Sequence, residues 1–284
     1  MDTWRDFMGS LSNPLELGRS ELVMWTRKVL REYGLRPRKS LSQNFIVDPL
    51  LIRELINYTG SGKVLEIGCG IGTLTRAVLL KAHSLTCIEI DWRLCEAISG
   101  LVDSPFFVIV NGDARFLPYL HEEVISNAPY HITSDLIVKI SRENCVNKAV
   151  LTLQREVADR LLSLPGSKNY GKITVLVNVL FDVKAGGTYP PGSFFPKPGV
   201  YHRVVVLLRR RSYAHEIEVL ERITKKAFSQ RKRLLSKVFV DLLKVNPSDL
   251  GPLWSKLEGK RVFAVDPETW LEISRSLLER GINV

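Results

Sequence analysis

Residues 64–72 read Val-Leu-Glu-Ile-Gly-Cys-Gly-Ile-Gly, an apolar strand that leads directly into three closely spaced glycines. Glycine is needed where the backbone turns sharply and a ligand approaches it closely, because a side chain would collide there. The spacing G-x-G-x-G differs from the G-x-G-x-x-G of dinucleotide-binding proteins, whose third glycine would fall at Thr73. The segment predicts a strand–loop–helix unit with a ligand at the loop; an ordinary tight turn is the alternative.

Two acidic residues stand where the next two strands end. Glu89 lies 21 residues beyond Gly68 at the end of the second strand, where a carboxylate accepts two ribose hydroxyls. Asp113 ends the third strand and is suited to accept from the amino group of a cofactor's adenine. Asp91 is better explained as the N-cap of the following helix. A glycine loop with acids after strands two and three favours S-adenosylmethionine over NAD as the cofactor.

Around this unit the chain alternates strands with helices. Apolar runs predict strands at residues 64–67, 85–90, 106–110, 124–126, 149–153, 173–181 and 204–208. The last two are joined by a Gly- and Pro-rich loop, residues 186–199, which leaves no room for a crossover helix, so they should form an antiparallel hairpin. The predicted class is α/β, a Rossmann-like, mostly parallel sheet with a C-terminal hairpin.

After Arg211 the strand signals end and helical patterns follow. Helices are predicted over residues 20–33, after Asp48-Pro49, over 214–228 and 232–244, and after the caps Asn246-Pro247 and Asp266-Pro267. We predict three parts: an N-terminal extension and helix (1–35, loosely ordered up to residue 19), a cofactor-binding catalytic domain (36–208) and a smaller all-α domain that binds RNA or the ribosome (209–284).

The fourth predicted strand ends in Asn127-Ala128-Pro129-Tyr130, at the carboxyl edge where such sheets bind ligands. An exocyclic adenine nitrogen is a poor nucleophile because its lone pair is delocalised into the ring. Acceptors for its two N–H bonds, the Asn127 side-chain oxygen and the Ala128 or Pro129 carbonyl, would localise that pair. Pro129 adds a fixed φ, and Tyr130 offers a face on which the base stacks. The segment predicts an adenine-methylating site; a capped turn is the alternative.

A base inside folded RNA must leave its stack to reach this pocket, so a second aromatic face would help. Phe194, on the Gly- and Pro-rich loop, is the candidate, whereas Phe195 is better explained as a hydrophobic anchor of that loop. A sulfonium is already an activated methyl carrier, so we expect neither a nucleophilic side chain nor a metal ion. Positioning should supply most of the rate.

The composition favours a nucleic-acid-binding protein. The 284 residues carry a formal net charge of +10, which suits a polyanionic partner. The four cysteines form no C-x-x-C pair and no metal-ligand spacing with the five histidines, so we expect reduced, buried thiols. The amino terminus lacks the features of a signal peptide, and no apolar run approaches a membrane span, so we expect a cytoplasmic protein.

Basic residues concentrate in two segments. Six lie between residues 27 and 39, and seven lie between residues 222 and 237 with no acid among them. We expect Arg38 and Lys39 of the first segment and Arg231, Lys232 and Arg233 of the second to contact RNA phosphates, which gives affinity without sequence preference. A solvated helix face is the alternative.

Together these segments resemble the small-subunit ribosomal RNA adenine dimethyltransferase family, from about Arg36 to Lys237. The matching blocks are Leu41-Ser42-Gln43-Asn44-Phe45, the 66–72 loop, Glu89-Ile90-Asp91, Gly112-Asp113-Ala114, the N-x-P-Y element, Phe194-x-Pro196 and Ala227-Phe228-Ser229-Gln230-Arg231-Lys232. The resemblance implies dimethylation of the N6 amino groups of two adjacent adenosines near the 3′ end of small-subunit RNA, with S-adenosylhomocysteine as the product. It also implies a role in subunit biogenesis and, as partner, that RNA or a 30S or 40S precursor; we expect a monomer.

The resemblance assigns the site residues as well. Cofactor contacts fall on Asn44, Ile46 (backbone), Gly68, Gly70, Glu89, Asp113 and Asn127, and the target base on Asn127, Pro129, Tyr130 and Phe194. The chain departs from the family at Ala128, usually leucine, and at Val200-Tyr201-His202, usually V-D-S; we expect His202 to be structural. Two alternatives stay open: methylation of large-subunit RNA, and a binding role in ribosome assembly or, as in mitochondrial relatives, transcription.

Overall fold

The computed structural model describes residues 13–246, 250–255 and 257–282. They form two compact units. One contains the described chain up to Ala158 together with Lys184–Leu207, and the other contains Asp159–Val183 and the described residues from Leu208 onward. Most of the loosely ordered extension that the sequence predicts, residues 1–12, lies outside the described residues, as does Pro247 of the predicted Asn246-Pro247 cap.

The strands build one large sheet and one small one. Their bounds are β1 Phe45–Ile46, β2 Lys63–Ile67, β3 Ser84–Glu89, β4 Phe107–Asn111, β5 Glu123–Asn127, β6 Lys148–Gln154, β7 Phe181–Tyr189, β8 Phe194–Phe195 and β9 His202–Arg209. The large sheet has the order β4-β3-β2-β5-β6-β9-β7, with parallel pairing from β4 through β6. Strands β7 and β9 form the predicted antiparallel hairpin, so the predicted α/β class is confirmed.

The central strands are buried on both faces, which is why they read as apolar runs and not as alternating patterns. In β2 every residue after Lys63 is buried, and β5 is buried from Glu123 to Ser126. The predicted strands at 64–67, 85–90, 106–110, 124–126, 149–153 and 204–208 are confirmed, with small shifts at their ends.

Helices connect these strands and make up most of the second unit. Their bounds are α1 Arg19–Glu32, α2 Pro49–Tyr58, α3 Thr73–Leu79, α4 Trp92–Leu101, α5 Thr133–Arg142, α6 Arg155–Leu161, α7 Lys172–Leu180, α8 His215–Ala227, α9 Leu235–Val238, α10 Pro252–Ser255 and α11 Pro267–Glu279. Two predicted N-caps are confirmed: Asp48 accepts from the Leu50 N–H at 3.0 Å, and Asp266 accepts from the Thr269 N–H at 2.9 Å. None of the helices among the described residues is long and apolar enough to cross a bilayer.

The strand predicted over residues 173–181 is wrong, because these residues form helix α7 and the strand begins only at Phe181. Side chains are buried around nearly the whole of α7, so its apolar run carries no clear periodicity. Periodicity alone does not distinguish a buried helix from a buried strand. The strand β7 then continues to Tyr189, into the first part of the predicted loop.

The helix predicted over residues 232–244 is also shorter than expected. Helix α9 covers only Leu235–Val238 and continues as a π-helical turn, Phe239–Leu243. The turn ends at Lys244, whose φ of 57° lies in the left-handed region and stops the helix. The predicted helices over 20–33 and 214–228 are confirmed as α1 and α8.

Helix α1 supports the site from behind. Its Trp25, Val29 and Leu30 belong to one buried cluster with Phe45 and Ile71. Phe45 forms β1, and Ile71 belongs to the glycine loop. The apolar face of the helix therefore holds β1 and the glycine loop in place.

Candidate active site

A cleft opens at the carboxyl ends of β2, β3 and β5 in the first unit. The empty space inside it measures about 890 Å³, including the part open to solvent. Nine of the residues predicted from the sequence line it: Asn44, Ile46, Gly68, Gly70, Glu89, Asp113, Asn127, Pro129 and Tyr130. Motifs that are distant along the chain therefore meet in one place.

The glycine loop presents bare backbone to this cleft. Gly68, Gly70 and Gly72 have φ values of 76°, 57° and 85°, in the left-handed region that other residues rarely adopt. A Cβ at Gly70 would lie 2.9 Å from the ring of Phe45. Any side chain there would collide with β1, so the loop keeps this shape only with glycine.

Glu89 is buried at the end of β3, and each of its carboxylate oxygens accepts one backbone N–H. Oε2 accepts from Gly70 and Oε1 from Asp91, both at 3.0 Å. Each oxygen keeps a lone pair for a further donor, so the carboxylate fits two ribose hydroxyls. Burial raises the pKa of Glu89, and the backbone hydrogen bonds oppose the rise. The bare loop and this carboxylate together fit the predicted cofactor.

Two further acids near the cleft, Asp91 and Asp113, are held by arginines. Asp91 caps α4, as predicted, by accepting from the Arg93 N–H, and Gln43 donates to it at 2.9 Å. The hydrogen bond from the Arg93 side chain lowers the pKa of Asp91 to about 2. Asp113 is half-buried, and Arg115 donates to both of its oxygens, which lowers its pKa. Of the two, Asp113 lines the cleft.

Glu66 also lines the cleft, although the sequence analysis assigns no separate role to it. It is 1% exposed on β2 and accepts from the Thr75 hydroxyl at 2.7 Å. Burial raises the pKa of Glu66 to about 8, and the charge of Glu89 adds to the rise. Glu66 is therefore mostly protonated at neutral pH and supports the loop as a neutral group. The available signal was an acid inside an otherwise apolar strand.

Two cysteines of the site form a disulfide, so the prediction of reduced thiols is wrong for them. Cys69 of the glycine loop is joined to Cys87 on β3. They are 18 residues apart, and the parallel pairing of β2 with β3 brings them together, so the spacing gave no warning. Cys95 is a buried thiol as predicted, whereas Cys145 is exposed.

Asn127 ends β5 with its amide held in one orientation. Its Nδ2 donates to the Asn44 carbonyl at 2.8 Å. A carbonyl only accepts, so the bond fixes which end of the amide is the NH₂ group and leaves Oδ1 as an acceptor at the cleft. Asn44 is itself tied to the Ser42 carbonyl by a side-chain hydrogen bond of 2.9 Å.

The structure distinguishes the two carbonyls that the sequence left open as the second acceptor. The Pro129 carbonyl already accepts from the Ile132 N–H at 3.2 Å and from the Thr133 hydroxyl at 2.9 Å. No donor within the described ranges bonds to the Ala128 carbonyl, while the Ala128 N–H donates to Thr152 at 3.1 Å. The acceptor still available is therefore the carbonyl of Ala128.

Three aromatic rings lie together at the end of residues 127–130, called here the acceptor segment. The ring centroid of His202 is 5.3 Å from that of Tyr130 and 4.3 Å from that of Phe194. His202 and Phe194 are each 1% exposed, and the cleft lining includes Tyr130 but not Phe194. Phe195 packs against the cluster that contains Trp25, so its predicted role as a loop anchor is confirmed.

The predicted RNA-contacting residues of the first unit are exposed. Arg38 and Lys39 lie in the short segment that leads to the cleft, and the Arg38 guanidinium is 3.9 Å from the Asp91 carboxylate. Among the described residues, no three His, Cys, Asp or Glu side chains are grouped as a metal site would require.

In the second unit the three predicted basic residues differ. Arg231 is half-buried and donates to the carbonyls of Ser167 and Tyr170, both at 3.0 Å. Arg233 is half-buried as well and donates to Gln230 at 2.8 Å. Lys232 is exposed. Arg231 thus has a structural task that its position in a basic run did not indicate.

Comparison with known proteins identifies a family that matches most of the chain. Residues 34–274 match the family described as ribosomal RNA adenine dimethylase. The chain is 33% identical over 268 residues to the "Probable ribosomal RNA small subunit methyltransferase A" of Methanothermobacter thermautotrophicus, covering 91% of this chain and 97% of that one. It is 32% identical to the ribosomal RNA small subunit methyltransferase A of Natranaerobius thermophilus, covering 80% and 85%.

Among solved structures, a dimethyladenosine transferase from Plasmodium falciparum has the same fold. It superposes with a TM-score of 0.74 at 24% identity, covering 84% of this chain and 98% of that one. The match to the family model spans most of the chain, including the glycine loop, the acids and the acceptor segment. The chain therefore belongs to the ribosomal RNA adenine dimethylase family.

Proposed function

We propose that this protein transfers methyl groups from S-adenosylmethionine to the N6 amino nitrogens of two adjacent adenosines near the 3′ end of small-subunit ribosomal RNA. The observation that carries the proposal is the fixed amide of Asn127, which keeps an acceptor oxygen beside the Ala128 carbonyl and the Tyr130 ring. Two acceptors and a stacking face are what an adenine amino group needs in order to become nucleophilic.

The cofactor supplies a methyl group on a positively charged sulfur. Glu89 would hold its ribose, the backbone of Gly68 and Gly70 would border it, and Asp113 would accept from its adenine. On the other side of the cleft, Asn127 Oδ1 and the Ala128 carbonyl would accept the two N–H bonds of the target base. These bonds draw the nitrogen lone pair out of the ring and direct it across the cleft, so positioning supplies the rate.

Dimethylation is compatible with this pair of acceptors. In each transfer the C–S bond breaks as the C–N bond forms, S-adenosylhomocysteine leaves, and the amino nitrogen loses one proton to water. After the first transfer the nitrogen retains one N–H, and one acceptor is then sufficient to orient it. The stacking face of Tyr130 does not depend on the number of N–H bonds, so the same pocket serves both transfers.

The exposed basic residues favour RNA as the partner of this protein. We propose that residues 36–208 bind the cofactor and carry out the transfer, and that residues 209–284 bind small-subunit RNA or its precursor particle. Exposed Arg38 and Lys39 in the first unit would track phosphates, as would exposed Lys232 and its neighbour in sequence, Arg233, in the second unit. The protein would act as a monomer on subunits in the cytoplasm during their biogenesis.

The proposal is tested by incubating the full chain with labelled S-adenosylmethionine and either under-methylated small subunits or large subunits. Mass spectrometry then maps the modified nucleotides. We expect two adjacent dimethyladenosines near the 3′ end of the small-subunit RNA. Label on large-subunit RNA, or tight RNA binding without any transfer, would overturn the proposed substrate or the proposed chemistry, respectively.

A further inference from the structure

The buried imidazole of His202 is a polar group that the proposed reaction does not use. His202 begins β9, and the residue before it, Tyr201, accepts from the Arg155 N–H at 2.8 Å through its carbonyl. This bond fixes the start of β9 beside the end of β6. Because β5 pairs parallel with β6, His202 lies at the same edge of the sheet as the acceptor segment after Asn127.

The His202 ring contacts an aromatic partner that is itself held in place. Phe194, 4.3 Å away between ring centroids, lies in β8 opposite Ile46 of β1. The residue before it, Ser193, donates to the buried Asp48 carboxylate at 2.7 Å. The imidazole also contacts Tyr130, with 5.3 Å between the ring centroids and an angle of 32° between the rings. His202 therefore links the Tyr130 ring to the Phe194 ring.

The imidazole contributes a neutral ring to this space, and its hydrogen bonds play no part. Within the part of the chain that the structure describes, neither of its nitrogens has a hydrogen-bond partner of good geometry, and the same holds for the buried Tyr130 hydroxyl. Burial lowers the pKa of His202 to about 4, opposed by the Val200 backbone, so the ring is neutral.

We propose that His202 is a positioning residue for the methyl acceptor, which holds the Tyr130 ring at the depth where the target base stacks on it. The proposal rests on the stacking role proposed for Tyr130. His202 does not line the cleft, so it acts through Tyr130 and touches neither base nor cofactor. Without the imidazole, Tyr130 would sink toward Phe194, and the base would follow it away from the acceptor oxygens.

A double-mutant cycle tests this coupling in the full chain, with methyl transfer to small-subunit RNA as the measurement. We expect His202→Ala to lower kcat at least about tenfold, because small misplacements at a reacting atom are costly to the rate. In the Tyr130→Ala background the same change should have no further effect. The dissociation constant for S-adenosylhomocysteine should stay unchanged throughout. Independent, multiplying losses, or a parallel loss of cofactor binding, would overturn the proposal in favour of a general role in folding.

Two further variants test whether the loss of rate is specific to the ring at position 202. His202→Phe keeps a ring between Phe194 and Tyr130 and should recover most of the lost rate; melting temperatures identify any variant that fails to fold. His121→Ala is the matched control. His121 is half-buried and bonded to the Thr86 hydroxyl at 3.0 Å, but it precedes β5 and so lies at the opposite edge of the sheet. It should leave transfer unchanged, and an equal loss there would contradict the inference.

A second measurement separates this inference from the proposed RNA substrate. Calorimetry gives the affinity of adenosine monophosphate for the protein saturated with S-adenosylhomocysteine, without any RNA. We expect His202→Ala to weaken it several-fold. If adenosine monophosphate binds and responds in this way while small-subunit RNA is not methylated, the substrate is wrong and the role of His202 stands. If binding does not respond to His202→Ala, the inference is wrong whatever the substrate.

Discussion

The cofactor side and the acceptor side of the cleft differ in how their polar groups are paired. At the end of β3, both oxygens of Glu89 and both oxygens of Asp91 accept hydrogen bonds from the protein. After β5, by contrast, the described residues provide no donor for Asn127 Oδ1, for the Ala128 carbonyl or for the buried Tyr130 hydroxyl. On the cofactor side each carboxylate oxygen already holds a hydrogen bond from the protein, and each Glu89 oxygen keeps one further lone pair for the ribose. On the acceptor side, Asn127 Oδ1 and the Ala128 carbonyl hold no bond from the described residues and keep their accepting capacity for a substrate.

The largest effect on the rate should come from removing the Asn127 side-chain oxygen on the acceptor side of the cleft. Asn127→Ala should lower kcat by about 100- to 1000-fold, as expected for a group that acts at the reacting atom. RNA affinity should change little, because phosphate contacts supply most of it. Single-turnover rates and filter binding measure the two effects. Asn147→Ala, at an exposed asparagine before β6, is the control. Normal turnover in Asn127→Ala would refute the proposed role.

The cofactor side is also held covalently, and breaking that link should have the next largest effect. Cys87→Ser opens the disulfide to Cys69 and should reduce the free energy of unfolding by about 3 kcal/mol, because the loop it closes regains entropy in the unfolded chain. Thermal unfolding with and without reductant measures this. Reductant should lower the melting temperature of the unaltered protein and leave that of Cys87→Ser unchanged; equal shifts in both would show that the disulfide is not the cause.

A smaller effect is expected from protonating the cofactor side. A carboxylic acid accepts fewer hydrogen bonds than a carboxylate, so protonated Glu89 should hold the ribose hydroxyls less well. Because burial raises the pKa of Glu89, affinity for S-adenosylhomocysteine should fall as the pH is lowered, starting above the usual titration range of glutamate.

Calorimetry across pH measures this affinity. Glu89→Gln should bind about tenfold more weakly at high pH, which corresponds to the loss of a charge-assisted hydrogen bond, and its affinity should be less dependent on pH. Glu66→Gln is the control, because Glu66, with a pKa of about 8, is the other cleft-lining acid whose pKa is raised. If the pH dependence of the affinity persisted in Glu89→Gln and disappeared in Glu66→Gln, it would come from Glu66, and the prediction for Glu89 would be wrong.

Much of the cofactor side follows from the sequence, because local rules connect residue type to place. Glycine in a loop after an apolar strand, and an acid at the end of the next strand, predict positions that β2 and β3 then bring together. The orientation of the Asn127 amide depends on the carbonyl of Asn44, which lies 83 residues away, and no local sequence rule predicts this pair. The same applies to Cys69 with Cys87 and to His202 with Tyr130. These contacts depend on which strands become neighbours, and that is decided by the whole sheet.

Helix α7 and Arg231 show two further limits of the sequence. A run buried on all sides has no polar face, so its period is hidden. A basic residue in a basic run looks solvated until the carbonyls that it bonds are known, and those of Ser167 and Tyr170 come from another part of the chain.

The smallest effect is expected in the basic run of the second unit, residues 231–233, where bonded and exposed side chains can again be compared. Lys232 is exposed, whereas Arg231 is committed to two backbone carbonyls. Lys232→Ala should therefore weaken RNA binding and reduce the slope of log K against log salt by about 0.7 to 0.9, the value for one phosphate contact. Arg231→Ala should instead lower the melting temperature, because it leaves those carbonyls without their donor. If Arg231→Ala instead reduces the slope as much as Lys232→Ala and leaves the melting temperature unchanged, Arg231 exchanges its bonds to the two carbonyls for phosphates when RNA binds. Arg231 would then be an RNA-binding residue, and its assignment as a structural residue would be wrong.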